Sequence, residues 1–313
     1  MLPIVEDVIN GLSANPKRIS SRWFYDSVGD KLFQDIMELP EYYLTRAEYS
    51  VLELNAKDIF APFARDKQIN IVELGAGDGK KTRVLFDYLI SENRAFKYFP
   101  IDISQNALDK LCNALKTEYQ NMNILGLQTD YFSALKSDAL NKTENKLVLF
   151  LGSNVGNLSD QEAPAFFTEL FSVLKSGDKV LIGFDRVKDP EVILAAYNDA
   201  AGVTRDFNLN LLNRLNKELG ADFNLQAWEH QPEYSVERKA ALSFIVSKED
   251  QYVNFSLQNK TFHFQKGERI HTEISRKFDA DDMNLLASKA GFKVLDNFNH
   301  PDPLYTDSFW EKP

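Results

Sequence analysis

The chain of 313 residues is poor in cysteine and in histidine, with one of the first and four of the second. A lone thiol, Cys112, forms no intramolecular disulfide, and no Cys/His set has zinc-site spacing, so neither disulfides nor a structural metal are expected to hold the fold. Cys112 reads as a small buried hydrophobe. Positive charge is also short: 36 Lys and Arg stand against 46 Asp and Glu, a net charge of -10. Polyanion binding draws its affinity from Lys and Arg, so nucleic acid is disfavoured as a partner. No apolar run nears the roughly 18 residues of a membrane span, and the opening MLPIVEDVINGL places Glu6 and Asp7 where a secretory signal would be basic. A soluble, cytoplasmic protein is expected. Internal repeats, low-complexity tracts and Pro/Gly/Ser-rich linkers are missing too, so a second domain must interleave with the first.

What is present can bury a core: 44% of residues are hydrophobic and 12% aromatic. At roughly 150 residues per domain the length suits two domains, or one with a large insertion. From Gln68 to Gly183 short apolar runs alternate with helical periodicity, the pattern of a parallel α/β sheet. Strands are predicted over Ile69–Gly75, Phe96–Ser104, Met122–Asp130, Lys146–Ser153 and Lys179–Asp185. Helices are predicted over Arg83–Glu92, Gln105–Tyr119 and Ala163–Lys175. Near the end, Asp279–Phe292 reads as a helix with Asp281 or Asp282 in its first turn and Gly291 as its stop. FKVLDNFNHP and YTDSFWEKP then read as a closing hairpin. A parallel sheet finished by an antiparallel hairpin is similar in element order to the class I methyltransferases.

Residues 1–50 and 188–276 do not belong to this sheet. The second stretch joins a long helical run to strand-like text at Tyr234–Ser247 and Tyr252–Phe264, with 266–268 as a turn. The expected organisation is a Rossmann-like methyltransferase domain, 51–187 with 277–313, and an interleaved α+β lid, 1–50 with 188–276. A ligand cleft is expected between them.

After the first strand, ELGAGDGKKT carries glycines at 75, 77 and 79, which let backbone approach a ligand at the mouth of a helix. A dinucleotide fingerprint would want glycine at 80, where this chain has Lys80, and that disfavours an NAD-linked oxidoreductase. The second predicted strand ends in Asp102, placed to accept from ribose hydroxyls. The third ends in Asp130-Tyr131, an acid for an adenine amino group beside a ring that can stack. Glycine loop, ribose acid and adenine acid in this order are those of an S-adenosylmethionine site. Strand-end aspartates also serve as helix caps, and each acid alone is open to that reading. The N-P-P-Y-like turn that holds nucleobase amides is missing from LGSNVGNL (Leu151–Leu158).

SSRWFYD, LPEYYLTRAE, ELGAGDGKKT, FLGSNVGN, AYNDAAGVTRDFNLNLLNRLNKELGADF and IHTEISRKF, in this order, resemble the histidine-specific, S-adenosylmethionine-dependent methyltransferases of ergothioneine biosynthesis. The resemblance spans nearly the whole chain. It implies cofactor contacts at Gly75, Ala76, Gly77, Lys81, Asp102, Asp130 and Tyr131. It implies an amino-acid substrate held by Tyr25, Tyr42, Gly152, Asn157 and Tyr197, its imidazole read by Glu273 and Ser275. As residue types, Tyr25 and Tyr42 also suit helix-face core aromatics, Asn157 a turn, Tyr197 interdomain packing, and Glu273 with Ser275 one solvated strand face. One departure stands out: where the family commonly sets a methionine against the substrate ring, this chain has Ser243.

The resemblance implies N-methylation of the α-amine of free L-histidine, up to the trimethyl product, by a monomer without metal. Tyr25 and Asn157 would orient the amine while water removes its proton. Ser243 keeps open methylation of a ring nitrogen, or of another amino acid such as a tryptophan derivative. A binding protein that holds S-adenosylmethionine without turnover is the reading from another class.

Overall fold

Six consecutive buried residues, Ile69–Leu74, cannot form a strand with one wet face. They need a sheet covered on both sides, which parallel α/β packing supplies. The computed structural model describes residues 3–120 and 122–313, and they separate into two compact units, Met1–Tyr43 with Lys188–Arg276 and Leu44–Val187 with Lys277–Pro313. In chain order the helices are α1 (Pro3–Ser13), α2 (Ser27–Met37), α3 (Leu44–Phe60), α4 (Arg83–Ser91), α5 (Gln105–Glu118), α6 (Tyr131–Lys136), α7 (Asp138–Asn141), α8 (Glu162–Val173), α9 (Pro190–Tyr197), α10 (Val203–Leu219) and α11 (Ala280–Ala290). The strands are β1 (Ile69–Leu74), β2 (Phe96–Asp102), β3 (Leu127–Gln128), β4 (Lys146–Phe150), β5 (Lys179–Asp185), β6 (Trp228–Ser235), β7 (Ala240–Ser247), β8 (Gln251–Phe255), β9 (Lys260–Phe264), β10 (Arg269–Arg276), β11 (Lys293–Asn299) and β12 (Tyr305–Glu311).

The larger unit holds a 7-stranded sheet in the order β11-β12-β5-β4-β1-β2-β3. Strands β3, β2, β1, β4 and β5 run parallel, and β12 enters antiparallel between β5 and β11. This is the class I methyltransferase arrangement expected from element order, closing hairpin included. Side-chain alternation divides the core in two. Val72, Val148 and Val180 join the cluster with α8 and α11, while Ile71, Leu149 and Leu181 join the cluster with α3 and α4. The third predicted strand is far shorter than the sequence pattern implies, pairing only through Leu127 and Gln128, with one further bridge from Ile124 to Tyr98. Its residues 122–130 alternate between half-buried and exposed, so little apolar burial holds them to the edge. The lone thiol is also less enclosed than expected: Cys112 is half-buried on α5.

In the smaller unit α1, α2 and α10 share one core with a 3-stranded antiparallel sheet, order β10-β7-β6, and with the β8-β9 hairpin. Here the sequence pattern misleads twice. Tyr234–Ser247 is the end of β6, a turn and β7, and Tyr252–Phe264 is the hairpin β8-β9. The turns fall at Lys239 and Asn259, both with positive φ (47° and 51°). Asn takes that conformation readily, but Lys gives no such signal. The expected domain boundary at residue 50 falls inside α3.

Candidate active site

In the larger unit the parallel strands deliver their carboxyl ends to one edge, the usual ligand edge of such sheets. At the end of β1 the backbone turns left-handed at Gly75 (φ 74°) and Gly77 (φ 55°). A side-chain carbon at Gly75 would lie 2.9 Å from the Tyr131 hydroxyl, whereas one at Gly77 would meet nothing within 4 Å. Gly75 therefore permits a close approach, and Gly77 lines open space. Ala76 turns its methyl into the core, leaving its backbone for the loop.

Asp102 ends β2 half-buried, accepts from the Ser104 amide at 2.9 Å, and has its carboxyl raised above the usual range by burial. Asp130 is exposed and caps α6, accepting from the Ser133 amide at 2.9 Å, with its carboxyl lowered by Ser133. The capping reading of Asp130 therefore holds, and a cap leaves room for a further acceptor role. Tyr131 stacks edge-on against Phe150 and Phe166, and burial pushes its hydroxyl up to about 12.

After β4 the chain makes a second left-handed turn, Gly152 (φ 77°) followed by Ser153 (φ 54°). Ser153 in this region is strained by about 1 kcal/mol. Its hydroxyl is anchored by accepting from the Asp185 amide at 3.1 Å. The Gly152 amide points inward to Glu48, donating to both carboxylate oxygens at 2.9 Å. Lys81 also turns inward, its ammonium paired with Glu48. Asn157 closes the short helix Asn154–Asn157, half-buried.

The smaller unit holds the other predicted residues. On the β10-β7 pair, Glu273 lies opposite Ser243 and Ser275 opposite Ala241, so Glu273, Ser243 and Ser275 share one face. Tyr197, at the end of α9, donates to the Ser275 hydroxyl at 2.7 Å, and both are buried. Ser243 is 1% exposed, and among the described residues its hydroxyl has no hydrogen-bond partner. Tyr25 is exposed, and it and Tyr42 each meet Phe33 edge-on, at centroid distances of 5.6 and 6.3 Å. Thus Tyr197, Ser275, Glu273 and Ser243 converge on one sheet face, and Tyr25 and Tyr42 flank one ring.

The model of the family described as histidine-specific methyltransferase, SAM-dependent, matches residues 4–312. The chain belongs to this family. It is 35% identical over 287 residues to the histidine N-alpha-methyltransferase of Mycolicibacterium smegmatis, covering 92% of this chain and 88% of that one. The enzyme of the same name from Mycobacterium tuberculosis is 34% identical over 290 residues, 93% of this chain and 89% of that one. Ergothioneine biosynthesis protein 1 of Neurospora crassa is 30% identical, over 91% of this chain and 32% of its own length.

Two further side chains, outside the residues predicted for the site, stand at this edge of the larger unit. Glu48 is one, buried beneath the Gly152 turn. Ile103 is another, an exposed apolar side chain (68%) beside Asp102. The signal for Ile103 was its position just past a strand end. For Glu48 the only signal was an acid within LPEYYLTRAE. Among the described residues no group of three His, Cys, Asp or Glu could hold a metal ion, and no helix is long and apolar enough to cross a membrane.

Proposed function

We propose that the chain transfers methyl groups from S-adenosylmethionine to the α-amino group of free L-histidine, up to the trimethyl product. The observation that carries this reading is the sheet face bearing Glu273 and Ser275 with Tyr197 hydrogen-bonded to Ser275, in a chain of the histidine-specific family. A carboxylate beside a hydroxyl can accept from one imidazole nitrogen and pair with the other.

Gly75, Ala76, Gly77 and Lys81 would hold the amino-acid end of the cofactor, Asp102 its ribose, and Asp130 and Tyr131 its adenine. The open space over Gly77 and the acceptors of Asp102 fit that group. S-adenosylmethionine supplies an already activated sulfonium methyl, so the protein's part is alignment and exclusion of water. Tyr25 and Asn157 orient the amine after water removes its proton, since an ammonium has no lone pair. Tyr42, the Gly152 backbone, Asn157 and Tyr197 fix the carboxylate and amine. The net charge of -10 suits a cationic sulfonium. The enzyme acts as a monomer in the cytoplasm, where both substrates are free.

A second reading rests on Ser243. Its buried hydroxyl, without a partner among the described residues and opposite Glu273, would suit a ring with a further hydrogen-bonding group, or methylation at a ring nitrogen. Incubation with labelled S-adenosylmethionine and a panel of free amino acids, followed by fragmentation of the product, separates these. Loss of trimethylamine from a histidine product is expected. A methylated imidazole immonium ion, or transfer only to another amino acid, overturns the reading, and no transfer at all leaves a binding protein.

A further inference from the structure

Beneath the edge that carries the cofactor loop lies a group of titratable side chains that the proposed mechanism leaves unused. Glu48, in the first half of α3, is 0% exposed. Besides the two Gly152 contacts it accepts from the Tyr305 hydroxyl at 2.9 Å and pairs with the Lys81 ammonium. Asp307, on β12, is also 0% exposed and faces Glu48. Opposite Asp307 on β5 stands Gly183, where a side-chain carbon would collide with both Glu48 Oε1 and the Tyr305 hydroxyl. The absence of a side chain at 183 is what lets the Glu48 carboxyl reach over the strand.

Among the described residues neither oxygen of Asp307 receives a hydrogen bond from an N–H or O–H group. Two ionised carboxylates pressed together out of water repel, and neither can donate. A proton between them removes one charge and supplies the missing donor. The other groups facing the pair agree with that count. Lys81 balances one negative charge, Asp185 is already paired with Lys277 at 2.8 Å, Tyr305 is a neutral donor, and burial raises the Glu73 carboxyl to about 7.

We propose that Glu48 is a positioning residue for methyl transfer, locked by a proton that Asp307 shares with it. One carboxylate then fixes the Gly152 turn after β4 against the Lys81 side of the glycine loop after β1. The assignment of those two loops to substrate and cofactor rests on the function proposed above. The shared proton does not.

In Glu48→Gln an amide nitrogen replaces one acceptor and meets the donors of Gly152 and Lys81. Losing a hydrogen bond to a charged group is worth about 10- to 100-fold in binding. The expected result is a rise of that size in the Kd for S-adenosylhomocysteine and in the histidine KM, with an unchanged far-ultraviolet dichroism spectrum. Asp307→Asn keeps a donor aimed at Glu48 and stays within about threefold of the parent in both constants, whereas Asp307→Ala does not.

The proton has its own readout, needing no substrate. Asp307 keeps its proton when folded and loses it when unfolded, so the stability it confers is present below the unfolded pKa and is lost as pH rises toward the folded one. The unfolding constant of the parent relative to Asp307→Asn should grow by up to tenfold per pH unit above about pH 4. A pH-independent gap between those two proteins, or parental constants in a folded Glu48→Gln, overturns the proposal. If Glu48→Gln does not fold, the Asp307→Asn comparison decides. Failure of the function assignment would show instead as no methyl transfer with the S-adenosylhomocysteine Kd and stability effects intact.

Discussion

Asp130 shows how one side chain can hold two roles, and substitution separates them. It caps α6 and belongs to the proposed adenine contacts, so alanine there would remove both. Serine is as good a cap as aspartate but carries no charge. Asp130→Ser is expected to leave stability within about 0.5 kcal/mol of the parent while weakening S-adenosylhomocysteine binding several-fold by calorimetry. Parental affinity would reduce Asp130 to a cap. Glu273 sits on the other unit, and Glu273→Ala should raise the histidine KM at least tenfold with the cofactor Kd unchanged. Equal loss of both would exclude a ring-reading role. Asp102, the glycine loop, Tyr197 and Ser275 stand out in sequence as candidates because each lies in a motif or at a predicted strand end. Glu48 and Asp307 were not, since their partners are remote in sequence: Glu48 lies 104 residues from Gly152 and 257 from Tyr305. No local pattern marks a helix acid whose carboxyl fills the space above a glycine in a strand.

Among the elements, those with burial on both faces or with explicit end signals are legible in sequence, and the edges are not. Strands β1, β4 and β5 are continuously buried, mostly apolar runs, and helix α11 carries its ends in sequence: Asp279 and Asp282 form a reciprocal capping box and Gly291 a left-handed stop. The end of β6 with β7, and the whole β8-β9 hairpin, each read as one strand, because period-2 alternation continues through a two-sided turn unless a residue signals it. Lys239 does not signal, though Asn259 does, and β3 shows the opposite failure, alternation without enough burial to pair. The capping box makes a direct test of how much α11 depends on its end. Asp279→Ala removes the acceptor of the Asp282 amide at 2.9 Å and should lower stability by about 1 kcal/mol in urea unfolding. Asp279→Ser should recover most of it, and an unaffected alanine variant would mean that packing of Met283 and Leu286 against the sheet holds the helix alone.

At the scale of the whole molecule the buried acids set how stability responds to pH, and Glu73 gives the clearest sign. It is the penultimate residue of β1 and is buried, accepting from Thr82 Oγ1 at 2.7 Å and from the Tyr98 hydroxyl. Burial outweighs both hydrogen bonds and raises its carboxyl from 4.5 to about 7. The folded protein therefore holds a proton that the unfolded chain releases near pH 4.5. Below pH 4.5 that proton does not distinguish the two states, and between pH 4.5 and about 7 stability falls as pH rises. The drop is on the order of 3 kcal/mol at 1.36 kcal/mol per pKa unit. Above the isoelectric point of about 5.0 the chain's net negative charge acts in the same direction, because deprotonation adds to that surplus. Glu73→Gln has no proton to lose, and the Thr82 and Tyr98 hydroxyls can rotate to donate to its carbonyl or accept from its amide. The variant is thus expected to match the parent in urea unfolding near pH 4.5 and to become progressively the more stable toward pH 7, by an amount on the order of 3 kcal/mol. A constant difference across that range would mean that Glu73 is ionised in the fold, held by Thr82, Tyr98 and the charge of Lys81, and that the pH response arises elsewhere in the buried cluster.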